Sequence, residues 1–225
     1  MEERKFIGVR KDEFSIKEFI KKEFGKGKVS NVKIEYTPVG EKIIVSTHKP
    51  GLIIGKRGES IERLTIVLKK KFKMENPHVD IFEIKHPEFD SQLVADEIAL
   101  SLERFGSLRF KAIAYKILTK IKNAGALGAE LRLSGKLPSE RARTWRFAYG
   151  YLKKTGDMAN AVDRSESVAT TPLGVVGIKV AILSPETKLD DAIDLGPEFL
   201  EIVKKNMAFV EDEKSKKKTK RSKKE

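Results

Sequence analysis

Residues 50–61 read Pro-Gly-Leu-Ile-Ile-Gly-Lys-Arg-Gly-Glu-Ser-Ile, and this stretch decides the fold of the first half of the chain. An apolar run ends at Gly55, two cations follow, and a helical pattern begins after Gly58. Glycines let the backbone turn sharply and approach another molecule closely. The free N–H groups at the start of a helix also suit a phosphate. The stretch therefore predicts a phosphate-binding loop, although a tight turn with solvated cations would use the same residue types.

The residues around this loop predict a definite order of elements. A capping box, Ser15 with Glu18, predicts the start of a first helix that ends at Gly25. Alternating apolar residues predict two strands between residues 32 and 45, joined by a turn at 37–40. Apolar spacing then predicts a short helix before the loop, a longer helix after it and a last strand. These three elements cover residues 52–54, 61–72 and 79–84.

This order resembles the type II KH domain, with the Gly-X-X-Gly loop in its proper place. The resemblance implies that Gly55, Lys56, Arg57 and Gly58 clamp the backbone of a single RNA strand. Residues 51–57 also look like a nucleotide-binding P-loop. However, only three residues separate the two glycines, and Arg57 stands where a Ser or Thr would hold magnesium. We therefore expect no nucleotide site and no cofactor.

Composition narrows the class of partner. The chain has 225 residues with a formal net charge of +13, which fits a polyanion such as nucleic acid or an acidic membrane surface. The segment 214–225 has eight cations against one glutamate, so it holds +7 of that charge and leaves +6 for the rest. Cysteine is absent, which excludes disulfides and zinc fingers. No apolar run approaches the length of a membrane span, and no signal peptide is apparent, so we expect a cytoplasmic protein without a membrane partner.

The second half reads as two helices followed by strands. Apolar residues spaced for helices occupy residues 94–105 and 110–121, with Asp90 or Ser91 as the first cap. Residues 127–183 then predict a four-stranded antiparallel sheet, whose last two strands cover about 161–171 and 175–183. The two helices would cover one face of this sheet. The fold class is therefore α+β.

Cations and aromatic residues alternate along residues 141–151, a pattern suited to RNA. In a strand, Arg141, Arg143 and Trp145 would share one face, and either that face or the opposite one, with Arg146, could meet the partner. A half-buried strand with its aromatic residues in the core and its arginines in solvent would show the same pattern. Both descriptions can hold together, because the aromatic residues are expected to pack.

The whole chain resembles the universal small-subunit ribosomal protein S-three family, in its archaeal and eukaryotic branch. The resemblance spans about residues 5–185 and rests on the loop at 49–58, Leu-Ser-Gly-Lys-Leu at 133–137 and Gly-Val-Val-Gly-Ile-Lys-Val at 174–180. Pro138 and Ser139 replace the glycine pair of the bacterial pattern. The resemblance implies a protein of the subunit head that binds ribosomal RNA, contacts mRNA where it enters the subunit, and neighbours other small-subunit ribosomal proteins. Its implied mRNA surface comprises Lys136, Arg141, Arg143 and Arg146.

These features divide the chain into four predicted segments. They are a basic arm at 1–12, a type II KH RNA-binding domain at 13–86, an α+β domain at 87–186, and a linker, short helix and lysine-rich tail at 187–225. Asp190, Asp191 and Asp194 are interpreted as solvated linker, so no metal site is predicted. The arm either orders on a partner or is simply solvated.

A binding protein is therefore expected, not an enzyme. One alternative is a free KH-domain factor that processes or regulates RNA outside the ribosome. A nuclease or lyase is a weaker alternative, because the chain shows no metal triad and no nucleophile–base pair.

Overall fold

The computed structural model describes residues 2–38, 40–72, 74 and 76–187, apart from the side chains of Glu2 and Lys5. Three predicted features lie outside the described residues: the short helix near Phe199, the acidic trio at 190–194 and the lysine-rich tail. The described part forms an α+β fold, as the sequence predicts, with helices packed on two separate sheets.

The first half contains three helices and three strands. They are α1 (Glu2–Phe24), β1 (Val32–Thr37), β2 (Gly40–Thr47), α2 (Pro50–Ile54), α3 (Glu59–Phe72) and β3 (His78–Glu83). The sheet order is β1-β2-β3, in which β1 and β2 are antiparallel and β2 and β3 are parallel. A parallel pair needs a long crossover, and α2, the loop and α3 supply it. This confirms the KH-type arrangement.

The predicted start of the first helix was wrong. Ser15 lies inside α1, which begins at Glu2 and takes in most of the segment predicted as an arm. The capping pattern considers only the residues from Ser15 to Glu18. Residues 2–13 contain no proline and several good helix formers, so they extend the helix toward the N-terminus. Arg10 and Glu13, three residues apart, form an ion pair of 3.0 Å on the added turns. Phe14, which precedes Ser15 and would pack on Phe19 as a hydrophobic staple if the helix began there, is instead 67% exposed.

The core of this half forms where one face of α1 and one face of α3 pack on the sheet. Ile16, Ile20 and Phe24 of α1 are buried, as their helical spacing predicts, and so are Leu64 and Leu68 of α3. The buried strand residues alternate along β2, with a period of two that orients one side of the sheet toward the helices. Packing, more than propensity, therefore holds these helices in place.

The second half contains two helices and a four-stranded sheet. The elements are α4 (Ser91–Phe105), α5 (Phe110–Ala124), β4 (Gly128–Gly135), β5 (Arg143–Gly150), β6 (Asp163–Thr171) and β7 (Gly174–Leu183). All pairs are antiparallel, in the order β5-β4-β7-β6. Both helices contribute to one apolar core with the sheet, so they cover one of its faces. We call the opposite side the open face. β6 begins two residues later than predicted, because residues 157–161 form a 3₁₀ turn.

Polar contacts join the two halves within residues 2–187. Asp96, only 5% exposed, accepts hydrogen bonds from the Gly27 amide at 2.9 Å and the Ser167 hydroxyl at 2.7 Å. Lys26 donates to Glu103 and to the carbonyl of Val168. A buried carboxylate is costly unless its oxygens are satisfied, so these bonds need the loop after α1 to stay against α4. They therefore fix the KH half against the second domain.

Candidate nucleic-acid interface

The Gly55–Gly58 loop forms a sharp, outward turn between α2 and α3. Gly55 has φ 73° and ψ −173°, and Gly58 has φ 83°. A Cβ on Gly55 would lie 2.2 Å from the Ser60 hydroxyl oxygen, so both space and backbone angle require glycine there. Arg57 also has a positive φ, 54°. The turn is therefore held in a conformation that most residues avoid.

Lys56 and Arg57 are exposed on this turn. Neither side chain forms an ion pair within the part of the chain that the structure describes, and both lie at the start of the 14-residue helix α3. The partial positive charge of a helix start adds to theirs. The loop thus brings two unneutralised cations and close backbone access to one point, which is the chemistry of a phosphate clamp.

Two apolar side chains beside the loop are functional candidates that the sequence reasoning missed. Leu52 is 52% exposed and Ile54 is 38% exposed, whereas Ile53 between them is fully buried. By its sequence this run predicts only a short helix. A helix of five residues can bury only one side of such a run, so consecutive apolar residues already indicate that some of them are exposed. The exposed pair could contact a base next to a clamped phosphate.

The loop from β4 to β5 carries Lys136 and Arg141, and Arg143 begins β5. Leu137 is fully buried, and its carbonyl accepts the indole N–H of Trp145 at 3.1 Å, which anchors the loop to β5. The three cations are exposed and form no ion pair with any described residue. They lie together at one end of the sheet, because Arg143 pairs with Gly135, the residue before Lys136.

Arg146 lies apart from these three cations. Side chains alternate along a strand, so Arg143 and Trp145 share the face that packs toward α5, while Arg146 projects from the open face. Phe147 is buried and Trp145 packs against the core, so these two aromatic residues are structural, as expected for a half-buried strand. The remaining sequence candidate, Arg146, thus belongs to a different surface.

Arg146 joins a charged cluster around Glu130 on the open face. Glu130 is 4% exposed and forms ion pairs with Arg132, Arg146 at 3.1 Å and Lys154 at 2.8 Å. Burial by itself raises the pKa of the Glu130 carboxyl, but hydrogen bonds from Lys154, Arg132 and Arg146 outweigh it and lower the pKa to about 2. Alternation along β4 puts Glu130 on the face opposite Leu131, but its deep burial under three cations was not evident from alternation alone.

Lys111 also lies near the loop from β4 to β5. Its ammonium nitrogen is 4.8 Å from the centre of the Trp145 ring, a cation–π distance. Only the packing of α5 on β5 brings Lys111 to Trp145, so this contact was not predictable from the sequence. The described residues contain no group of three or more His, Cys, Asp or Glu side chains placed to hold a metal ion. None of their helices is long and apolar enough to span a bilayer.

Comparisons with known proteins agree with this architecture. The KH domain family matches residues 15–89, and the family described as ribosomal protein S3, C-terminal domain, matches residues 98–182. The fold and the two matches together define a ribosomal protein of the KH-containing class.

Relatives identify the family. The chain is 41% identical over 194 residues to the small ribosomal subunit protein uS3 of Methanocaldococcus jannaschii, covering 86% of this chain and 92% of that protein. It is equally identical to the protein of that name from Archaeoglobus fulgidus, covering 86% and 83%. A Methanococcus maripaludis relative is 36% identical, covering 87% and 92%. The chain belongs to the small ribosomal subunit protein uS3 family, whose members are structural, non-enzymatic ribosomal proteins. This confirms the resemblance, including its archaeal branch.

Proposed function

We propose that this protein binds ribosomal RNA in the head of the small subunit and helps line the channel through which mRNA enters. It would work in the cytoplasm as a ribosome-bound protein, beside other small-subunit ribosomal proteins. Its membership of the uS3 family supports the location. The observation that carries the RNA-binding part is the outward turn at Gly55–Gly58, which presents two exposed cations with no ion pair among the described residues.

At the candidate clamp, the phosphate backbone of one RNA strand lies against the turn. Lys56 and Arg57 neutralise phosphates, and Gly55 and Gly58 let the strand approach the main chain. At the second surface, Lys136, Arg141 and Arg143 form a cationic end of the sheet that holds mRNA by its backbone. Such contacts are blind to base sequence, as a channel for every message requires. Arg146 is retained as a candidate for the same role, on the open face.

The clamp is tested by Lys56→Asp with Arg57→Asp. Each lost phosphate contact should weaken binding about fivefold at about 0.1 M salt and lower the salt slope by about 0.7 for single-stranded RNA. Binding to a fragment of head-region ribosomal RNA is measured by fluorescence anisotropy. The matched control, Lys69→Asp with Lys70→Asp, makes the same charge change near the other end of α3. Equal losses in both variants would reduce the clamp to a general charge effect and refute it.

The mRNA surface is tested by replacing Lys136, Arg141 and Arg143 together with alanine. We expect reconstituted ribosomes carrying this variant to translate messages with stable hairpins poorly, while messages without structure are translated normally. The second message is the control, since a folding or assembly defect would lower both. Normal translation of hairpin messages would contradict the assignment.

The alternative function, a free KH-domain RNA-binding factor, has a simple discriminating experiment. Ultraviolet crosslinking in cells should concentrate on head-region ribosomal RNA, with scattered mRNA sites. Crosslinks spread over other transcripts, with no small-subunit cofractionation, would favour the free factor.

A further inference from the structure

The open face of the β5-β4-β7-β6 sheet carries a cationic stripe, of which the proposed mRNA surface includes only Arg146. Arg146, Arg132 and Lys179 are direct cross-strand partners on three adjacent strands, and Glu166 ends the row on β6. Directly opposed side chains of a sheet stand about 5 Å apart, and like charges there are destabilising. A row of three adjacent cations therefore breaks a local rule of sheet stability, and such breaks tend to occur at functional sites.

Glu130 offsets part of this repulsion and also orders the stripe. Its carboxylate holds Arg132, Arg146 and Lys154 at once. Arg132 contacts it only through Nε and Arg146 through Nε and one terminal nitrogen, so most guanidinium N–H groups remain available within the described structure. The cations are thus fixed before any ligand arrives, which reduces the ordering entropy that binding must overcome.

The charge of this face exceeds what its carboxylates neutralise. A shallow pocket of about 360 Å³ on the face is lined by Arg132, Lys154, Arg164 and Lys179 together with Glu130 and Glu166. With Arg146 these are five cations against two carboxylates, a surplus of three positive charges. Arg164 is exposed and forms no ion pair with the rest of the described chain. An anionic ligand is the complement of such a surface.

We propose that the open face is a third RNA-contacting surface, which takes backbone phosphates of an RNA strand on Arg132, Arg146, Arg164 and Lys179. The strand residues on this face include no Phe, Tyr or Trp, so it offers no platform for stacking bases, and its contacts are to phosphate. A protein partner fits less well, because the centres of protein–protein interfaces are depleted of charged residues, whereas this centre is charged. Arginine also pairs with phosphate through two parallel N–H groups.

The test uses the full chain with Arg164→Ala and Lys179→Ala together, two exposed positions whose loss leaves the Glu130 cluster intact. The probe is a fluorescein-labelled oligouridylate, titrated at several salt concentrations. Losing two contacts should weaken binding about 25-fold at about 0.1 M salt and lower the salt slope by about 1.4. The control removes two exposed cations elsewhere, Arg104→Ala with Lys21→Ala, and should change affinity less than about twofold.

A second measurement reports on the open face alone. Phenylglyoxal modifies accessible arginines, and mass spectrometry shows which ones RNA protects. We expect oligouridylate to protect Arg132, Arg146 and Arg164, both in the natural chain and when Lys56 and Arg57 are replaced by Asp. Protection that persists in the variant without clamp cations would show that RNA binds the open face independently of the proposed clamp. An unchanged salt slope in the double variant, or protection by polyglutamate and not by RNA, would overturn the proposal, the latter in favour of an acidic protein partner.

Discussion

Replacing Glu130 with glutamine tests whether one buried carboxylate holds the open face together. The substitution keeps the shape of the side chain and removes its charge. Arg132, Arg146 and Lys154, each about half exposed, would then face one another without the buried carboxylate that they share. Because breaking a buried ion pair on one side leaves uncompensated charge, the loss should be large for a single substitution.

The lowered pKa of the Glu130 carboxyl gives the expected size of this loss in the free energy of unfolding. A fall from its ordinary value of 4.5 to about 2 corresponds to about 3 kcal/mol of stability at neutral pH. This figure is an upper estimate, since the three cations are about half exposed and solvent screens them. A lowered pKa means that the stabilisation is complete above pH 4.5 and is lost as the pH falls through about 2. At pH 3 it should be about 1.4 kcal/mol, less than half its neutral value.

Urea unfolding followed by tryptophan fluorescence provides the assay. Trp145 is the chain's single tryptophan and packs in the core of the second domain, so its signal reports on the domain that contains Glu130. The control is Glu166→Gln, which removes a 70% exposed carboxylate paired with Lys179 on the same face and should cost less than about 1 kcal/mol. Equal losses for the two variants, or a Glu130→Gln loss that is the same at pH 7 and pH 3, would refute the reasoning.

Two further predictions concern the loop and the domain contact. Gly55→Ala should lower the free energy of unfolding by about 1–3 kcal/mol and weaken RNA binding, because its Cβ would collide with Ser60; Gly58→Ala, with a positive φ but open space, should cost about 1 kcal/mol. Chemical denaturation compares them, and equal costs would remove the steric argument. Asp96→Ala should cost about 2–3 kcal/mol by leaving buried donors unpaired, whereas the exposed neighbour Glu97→Ala should cost less than about 1 kcal/mol. Similar thermal shifts for both would show that the domain contact does not depend on Asp96.

Periodicity predicted elements best where their burial was one-sided. The helix spacing of residues 110–121 and the alternation of 129, 131 and 133 both led to buried faces, because the pattern and the packing require the same residues inside. Element ends were less predictable. The Ser15 capping pattern was outweighed by a helix that continues to Glu2, since a cap signal does not stop residues before it from extending the helix.

The candidate site was partly evident from the sequence. The four residues of the Gly55–Gly58 loop were apparent because their chemistry and their spacing are contiguous in the chain. Alternation along the strand already separated Arg143 from Arg146, but it did not show which of the two faces the helices cover, because that depends on tertiary packing. The cluster around Glu130 was also hidden, since its members come from β4, β5 and the segment that follows, and only the sheet register assembles them.

The sequence alone therefore determined the KH-type order of elements, the glycine turn with its two cations, the basic character of the chain and its family resemblance. Each of these features depends either on residues that are neighbours along the chain or on the composition of the whole chain. The tertiary structure decided which cations are free and which are neutralised. It also decided which strand face is covered and where Asp96 joins the two halves. Those outcomes depend on contacts between residues that are distant in the chain. Burial determines how strongly two charges interact, and strand register determines which charges become partners.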